Sequence, residues 1–305
     1  MNEPLTKPKV ALVTSEALPN LYEDDLLLVT ALDDIGIDSR PAIWSEPSID
    51  WLAFDALVIR SPWDYFQRPV EFREWLDNRI ASGVRMINSG EILEWNFDKR
   101  YLQDLGAAGV SLVPTIVISR GACPDIVALA RARGWEDIVV KPTISGGGYR
   151  TYRFRLEDGD RYRDEITATL LDRGLLIQPF LPEIISAGEL SLLFFDGVLS
   201  HAVCKRPKEG DYRVQFQFGG TNETVAVRDE WIEGASACVA AAPALPVYAR
   251  VDGVIQNSRF LLMELEVFEP LMFLAQHPDA PGHFARAIKG RLGDGARLQG
   301  MPNSS

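Results

Sequence analysis

Residues 248–270 read YARVDGVIQNSRFLLMELEVFEP, two runs of strand-forming residues joined by a short polar turn. Within them stand Asp252, Glu264, Glu266 and Glu269, acids placed where a core strand ordinarily excludes charge. Strand side chains alternate faces, so Arg250 and Asp252 share one face, as do Glu264 and Glu266. A three-residue loop over Asn257–Arg259 predicts Asp252 opposite Glu264 and Arg250 opposite Glu266, whereas a two-residue loop throws the two sets onto opposite faces. We expect the odd loop. Directly opposed Cβ atoms lie about 5 Å apart, where two carboxylates repel unless a cation stands between them. Hard oxygen ligands suit Mg²⁺, which takes one or two carboxylates and fills its remaining positions with water and phosphate oxygens. The plainer alternative is the solvated face of an edge hairpin.

The chain has 305 residues, 47% hydrophobic and 24% charged, with a net charge of −12. That length predicts about two domains with a sizeable core. The acidic balance argues against nucleic acid as a partner. No uncharged apolar run approaches the roughly 18 residues of a membrane span, and Met1–Pro8 has no basic or apolar region of a signal peptide. No membrane association and a cytoplasmic location are therefore expected. Cys123, Cys204 and Cys238 form no CxxC pair and leave one over, which suggests neither a disulfide framework nor a zinc site. With only three histidines, none in a nucleophile pattern, Ser/His or Cys/His covalent catalysis has little support.

From the N-terminus, Lys9–Thr14 predicts a buried strand, Tyr22–Leu32 a helix, and Pro41–Trp44 and Ala56–Arg60 further strands. Strands alternating with helices imply a parallel α/β layer. Ligands of such layers sit beyond the carboxyl ends of the strands, where Arg60-Ser-Pro-Trp63-Asp-Tyr65 follows. A capped turn with Trp63 packed on the core is the bland alternative. Pro69–Ile80 predicts a helix, Val84–Ile87 a strand, and Ser89–Ala107 one long helix containing Lys99. Val110–Ser119 opens a new strand set, followed by a helix over Pro124–Arg133. Glu136–Pro142 is a short strand delivering Lys141 to Thr143-Ile-Ser145-Gly146-Gly147-Gly148, with a strand over Arg150–Phe154 behind it. Glycines in such a loop let backbone N–H groups approach an anion, although a flexible turn explains them as well. Leu175–Gln178 predicts a strand entering the rigid segment Pro179-Phe180-Leu181-Pro182-Glu183. Glu189–Phe195 and Val198–Lys205 are joined by Asp196-Gly197, a strong hairpin signal. Glu189 is the one charge in its strand. Arg206–Gln215 is too rich in charge and glycine to pack and reads as a lid or substrate loop. Thr221–Ala244 contains a helix, Pro281–Leu292 predicts a last one, and the tail after it reads as frayed.

In order, the chain presents Lys99, VVKP ending at Lys141, a Gly-rich hairpin, IQPFLPE, GELSLLFFDG, Lys205, YARVD and LLMELE. This order resembles the ATP-grasp superfamily over about residues 95–292. The α/β region ahead of it is similar to the pre-grasp domain of those enzymes. The fold class implied is therefore α/β and α+β: a parallel pre-grasp domain over 1–95, a small ATP-grasp subdomain with the Gly-rich hairpin over 96–174, a C-terminal subdomain with the Mg²⁺ and catalytic residues over 175–293, and a tail over 294–305.

The resemblance implies ATP and Mg²⁺ as cofactors. Lys99 and Lys141 would meet the phosphates under the loop of Ser145, Gly146, Gly147 and Gly148, and adenine would lie against Gln178, Pro179, Phe180 and Leu181. Either Glu183 or Glu189 would hold the ribose. Lys205 would reach a phosphate, Asp252, Glu264 and Glu266 would hold Mg²⁺, and Arg250 would steady an acyl phosphate. Many relatives carry asparagine where Glu266 stands. RSPWDY, HAVCKRPKEGDYRVQFQFGG, YARVD and ELEVFEP together are similar to the branch containing the cyclo-ligase of D-cycloserine biosynthesis, which closes O-ureidoserine into a ring. Phe218 departs from that pattern, where a polar residue is expected before Gly219-Gly220. On this basis Arg60, Trp63, Arg213 and Gln215 are substrate candidates, with Arg213 also catalytic. The activity implied is an ADP-forming ligation of a small-molecule carboxylate and amine; a regulator that binds ATP without ligation is the alternative. A homodimer is compatible with the resemblance, though no stretch marks an interface.

Overall fold

The computed structural model describes residues 7–293. The expectations for the tail over 294–305 and for most of Met1–Pro8 lie outside them.

Three sheets carry the chain. The first contains β1 (Lys9–Thr14), β2 (Asp38–Ile43), β3 (Ala56–Ser61) and β4 (Met86–Ile87), parallel and ordered β2-β1-β3-β4. Its central strands read as unbroken apolar runs because both faces are covered: Val10 to Val13 and Ala56 to Ile59 are fully buried. Helices α1 (Asp25–Asp34) and α2 (Pro69–Ala81) supply part of that cover. Pro41 sits in β2, at the sheet edge, where its missing N–H costs no ladder bond.

The long helix expected over Ser89–Ala107 is two helices, α3 (Gly90–Asn96) and α4 (Tyr101–Ala107). Tertiary bonds account for the break. Asn96 donates to Leu265 O at 2.8 Å and accepts from Val267 N at 3.0 Å, while Tyr101 Oη accepts from Leu265 N at 3.0 Å. Lys99, between the helices, donates its backbone N–H to Thr143 O at 2.8 Å. It is therefore a loop residue rather than a helical one.

The second sheet is antiparallel, ordered β5-β8-β6-β7, from β5 (Ile116–Ile118), β6 (Asp137–Pro142), β7 (Tyr152–Arg155) and β8 (Leu175–Pro179). Helices α5 (Ile126–Arg131) and α6 (Arg163–Asp172) contribute to its core. Because β8 pairs with both β5 and β6, the change of sheet falls after Pro179, later than the division expected at 174. A short helix, α7 (Glu183–Ser186), leads into the third sheet. That sheet is antiparallel, ordered β11-β10-β9-β12-β13, from β9 (Glu189–Phe195), β10 (Val198–Arg206), β11 (Thr221–Thr224), β12 (Tyr248–Gln256) and β13 (Arg259–Glu266). Asp196 and Gly197 both take positive φ, as a twist-matched two-residue hairpin turn requires. Helix α8 (Asp229–Ala240) packs on β12 and β13. Helix α9 (Ala280–Gly293) packs on α1 and the third sheet, so Phe284 and Ile288 join Leu12 and Leu28 in one core with Phe195 and Tyr248.

His201, on β10, belongs to this junction. Its Nε2 donates to Met272 O and Phe273 O, each at 3.1 Å, and burial pushes its pKa down from 6.5 to about 4. The unfolded chain therefore binds a proton that the folded chain refuses, and this part of the stability is lost as pH falls from 6.5 toward 4. Denaturant titrations should show His201→Gln losing less stability than the parent between pH 7 and pH 5, the full difference between the two limits being no more than about 3 kcal/mol. Parallel curves would remove His201 from the acid response.

Candidate active site

The opening hairpin carries the site, and its register is reached by another route than expected. Its turn has two residues, Asn257 and Ser258, both at positive φ, with Gln256 paired to Arg259. Such a loop alone would separate the charges. A bulge between Asp252 and Gly253 skips Met263 and restores the parity, so Asp252 lies opposite Glu264 and Arg250 opposite Glu266. The pairing is as expected; the three-residue loop is not there.

These four side chains line a cavity of about 650 Å³ between the second and third sheets, roofed by the Gly-rich loop. Arg250 donates Nε and Nη2 to the Asp252 carboxylate (Nη2 to Oδ2 at 2.9 Å) and Nη1 to Leu271 O at 3.1 Å, and its Nη2 forms an ion pair with Glu266 at 2.7 Å. Asp252 also faces Lys205 Nζ at 3.2 Å and accepts from Ser191 Oγ. Lys205 pairs with Glu189 as well. Glu264 pairs with Lys141 and, at 3.6 Å, with Lys99, which donates to Ser145 O at 2.8 Å.

Burial would raise Asp252 and Glu264, yet both are held below the ordinary carboxylate range, Asp252 by Arg250 and Lys205, Glu264 by Lys141 and Lys99. Glu266 goes the other way. Burial, with Asp252, Glu269 and Glu264 adding to it, pushes it up to about 8 against the pull of Arg250.

Ser145 to Gly148 also line the cavity. Gly147 and Gly148 take φ of +56° and +76°, and a Cβ there would stand 3.0 Å from Gln217 Nε2 and 3.2 Å from the Phe218 ring. Arg213 forms a two-pronged pair with Asp211, with Nη2 2.8 Å from Oδ2, and stacks on Phe218 at 3.7 Å. The aromatic at 218 is thus the platform for Arg213. Gln215 reaches the cavity with its Oε1 buried and unpartnered. Gln178, Pro179, Phe180 and Leu181 line the far end.

Known proteins fit this arrangement. Residues 10–88 match the family model of the N-terminal domain of D-cycloserine synthetase DcsG, and residues 108–245 that of the ATP-grasp domain of prokaryotic glutathione synthetase. The cycloserine biosynthesis protein DcsG of Streptomyces lavendulae is 32% identical over 93% of this chain and 98% of its own length. The chain belongs to the DcsG family of ATP-grasp ligases. The crystal structure of D-cycloserine synthetase DcsG superposes with a TM-score of 0.85 at 30% identity, covering 93% of this chain and 99% of the other. That of D-alanine–D-alanine ligase from Bacillus anthracis complexed with ATP does so with 0.67 at 16% identity, covering 96% and 100%. The ligase is thus an ATP-dependent enzyme joining a carboxylate to an amine.

Two sequence-derived candidates do not reach the ligase's cavity. Arg60 is fully buried, pairs with Asp25 at 2.9 Å and donates to Pro270 O at 2.9 Å, so it supports the site from behind and is not a substrate contact. Glu183 is absent from the lining; its Oε1 accepts from Gln256 at 3.0 Å. Glu189 is the one of the two acids that faces the cavity. Trp63 lines it and donates Nε1 to Glu269 O at 3.1 Å. Among the described residues no three His, Cys, Asp or Glu side chains are arranged around a point that could hold an ion. The three expected metal ligands share the cavity but are turned toward bases. A Mg²⁺ that takes one or two carboxylates beside phosphate oxygens still fits this donor set.

Ser191 and Asn96 were missed. Ser191 had a signal, since it lies two residues after Glu189 and so on the same face of a strand otherwise of Leu and Phe. Removing the buried Arg60 charge strands Asp25, so Arg60→Met should cost about 3–5 kcal/mol in denaturant titrations. A raised KM with unchanged stability would restore Arg60 as a substrate contact.

Proposed function

We propose that the enzyme uses MgATP to activate the carboxylate of a small amino-acid-like substrate as an acyl phosphate, which a nitrogen of the same molecule then attacks to close a ring. The observation that carries the acyl-phosphate step is the state of Arg250. A guanidinium has five N–H groups in a fixed fork; Nε and Nη2 donate to Asp252, Nη1 donates to Leu271 O, and Nη2 also forms an ion pair with Glu266, so three partners fix this charge in the cavity wall. A charge so fixed needs no rearrangement when negative charge develops beside it.

The remaining parts follow from the charges. Bound MgATP supplies the phosphoryl group that makes the carboxylate carbon open to attack. With MgATP bound, Lys99 and Lys141 would hold phosphate oxygens in place of Glu264, and that carboxylate, with Asp252 and Glu266, would hold the metal. Glu189 lies within reach of a ribose, and Lys205 links it to Asp252. The second step forms a C–N bond as the C–O bond to phosphate breaks, and the nitrogen's proton leaves with inorganic phosphate. A ligand N–H has an acceptor in the orphaned Gln215 Oε1. No protein nucleophile is needed. Ring closure within one molecule rests on the full-length similarity to DcsG, with Arg213 and Trp63 as the further substrate contacts.

Release of ADP and phosphate, measured with O-ureidoserine and a panel of amino acids in the presence of hydroxylamine, tests the reading. Release with one compound and no second amine is expected; release only with a carboxylate and amine pair would make the ligation intermolecular, and silence throughout would favour an ATP-binding regulator. Arg250→Ala should lower kcat at least about 100-fold with ATP affinity nearly intact. Loss of both together would deny it a catalytic role. Glu264→Ala should weaken nucleotide binding at least about tenfold with Mg²⁺ present and little in EDTA; equal loss in both would count against coordination.

A further inference from the structure

Among the described residues the cavity holds one acid that forms no ion pair. Asp252, Glu264, Glu266 and Glu189 each form an ion pair with Arg250, Lys205, Lys141 or Lys99. Among the described residues Glu269 forms none: burial raises its pKa, the Tyr65 hydroxyl is the hydrogen-bonding neighbour of its carboxylate, and the charges of Lys99 and Arg250 act on it only from beyond ion-pair distance.

Its position is nevertheless fixed. Trp63 holds the carbonyl of Glu269 at 3.1 Å and Arg60 that of Pro270 at 2.9 Å, so two side chains of the first domain clamp the backbone on either side. Glu269 Oε1 lies 3.8 Å from where a Cβ on Gly146 would stand, which puts the carboxylate beside the Gly-rich loop, the phosphoryl end of the cavity in the proposed reading. An anion there would oppose phosphate unless a cation came between them. Lys99 is occupied by Glu264 and Ser145 O, and a divalent ion has the three hairpin acids.

We propose that Glu269 is the residue that selects substrates with a free α-ammonium group, which its carboxylate binds beside the carboxyl group being activated. This rests on the reading of the site as that of an amino-acid-activating ligase. The geometry suits it, because the α-nitrogen sits one carbon from the reacting carboxyl and must lie at the phosphoryl end. The pairing has a chemical consequence. An amine held as ammonium has no lone pair for the acyl phosphate, so the attack falls to another nitrogen of the substrate.

Calorimetric binding of O-ureidoserine and its N-acetyl derivative to the MgADP-loaded protein, for the parent and Glu269→Gln, tests the assignment. The variant should bind O-ureidoserine about 10- to 100-fold more weakly, with N-acetyl binding and MgADP affinity unchanged. Equal losses for the two compounds, no loss, or a fall in MgADP affinity would overturn the assignment and leave the ligase reading standing. Failure of the parent to bind O-ureidoserine or any amino acid of the panel would overturn the assignment too. The hydroxylamine assay then shows separately whether the enzyme activates some carboxylate without an amine.

Discussion

The site depends on burying opposite charges in one place without leaving any of them alone. Removing a carboxylate or a guanidinium from water costs several kcal/mol unless a partner of opposite sign and good geometry is at hand. The hairpin of β12 and β13 brings Arg250, Asp252, Glu264 and Glu266 together, and Lys99, Lys141 and Lys205 arrive from three other segments to balance them. The lysines that in the proposed reading would attract a triphosphate are the ones that neutralise the acids. A nucleotide arriving alone would take the lysines and strand the carboxylates, and a divalent ion arriving alone would strand the lysines. Metal and nucleotide therefore enter best as a unit, a coupling that follows from the buried charges with no conformational switch.

Past Glu266 the chain leaves its sheet, and the carbonyls it can no longer pair are taken up by side chains. Asn88 donates to Val267 O at 2.8 Å, Tyr248 to Phe268 O at 3.1 Å, Trp63 to Glu269 O, Arg60 to Pro270 O, Arg250 to Leu271 O, and His201 to Met272 O and Phe273 O. Buried carbonyls without partners would cost about 1–3 kcal/mol each. Three of these donors, Asn88, Trp63 and Arg60, come from the first domain, so docking that domain and shaping the site are one event. This explains why an arginine at the carboxyl end of β3 serves the active site without touching its cavity.

What could be read in the sequence was parity and order. Alternation put Arg250 with Asp252 and Glu264 with Glu266, the Asp196-Gly197 turn announced its hairpin, and the succession of lysines, glycines and acids carried the family. Parity alone does not show where a register is set. The two-residue turn and the bulge at Met263 each shift it by one and cancel, and an odd loop gives the same pairing. The break after Asn96 was hidden for a different reason: the helical pattern continues through it, and the bonds that open it come from residues more than 160 positions away. Arg60 misled because a basic residue at a strand end is as apt to anchor a buried chain as to meet a ligand, and only Asp25 and Pro270 decide between them.

The seam in the roof, between residues 147–151 and the segment 212–218, is held far more lightly than the floor. Gln217 Nε2 donates to Gly147 O at 2.9 Å, Tyr212 Oη donates to Thr151 O at 3.2 Å, and the Phe218 ring lies over Gly148. Two neutral hydrogen bonds, the first of them exposed, contribute about 1 kcal/mol each, against the several kcal/mol needed to part any buried ion pair below them. The difference suits the chemistry. The acyl phosphate of the proposed mechanism would have to be shielded from water while it exists, yet nucleotide and product must leave after every turnover. The charged floor sets the geometry of the reacting atoms, and a seam in the roof that parts at small cost lets the ligands exchange.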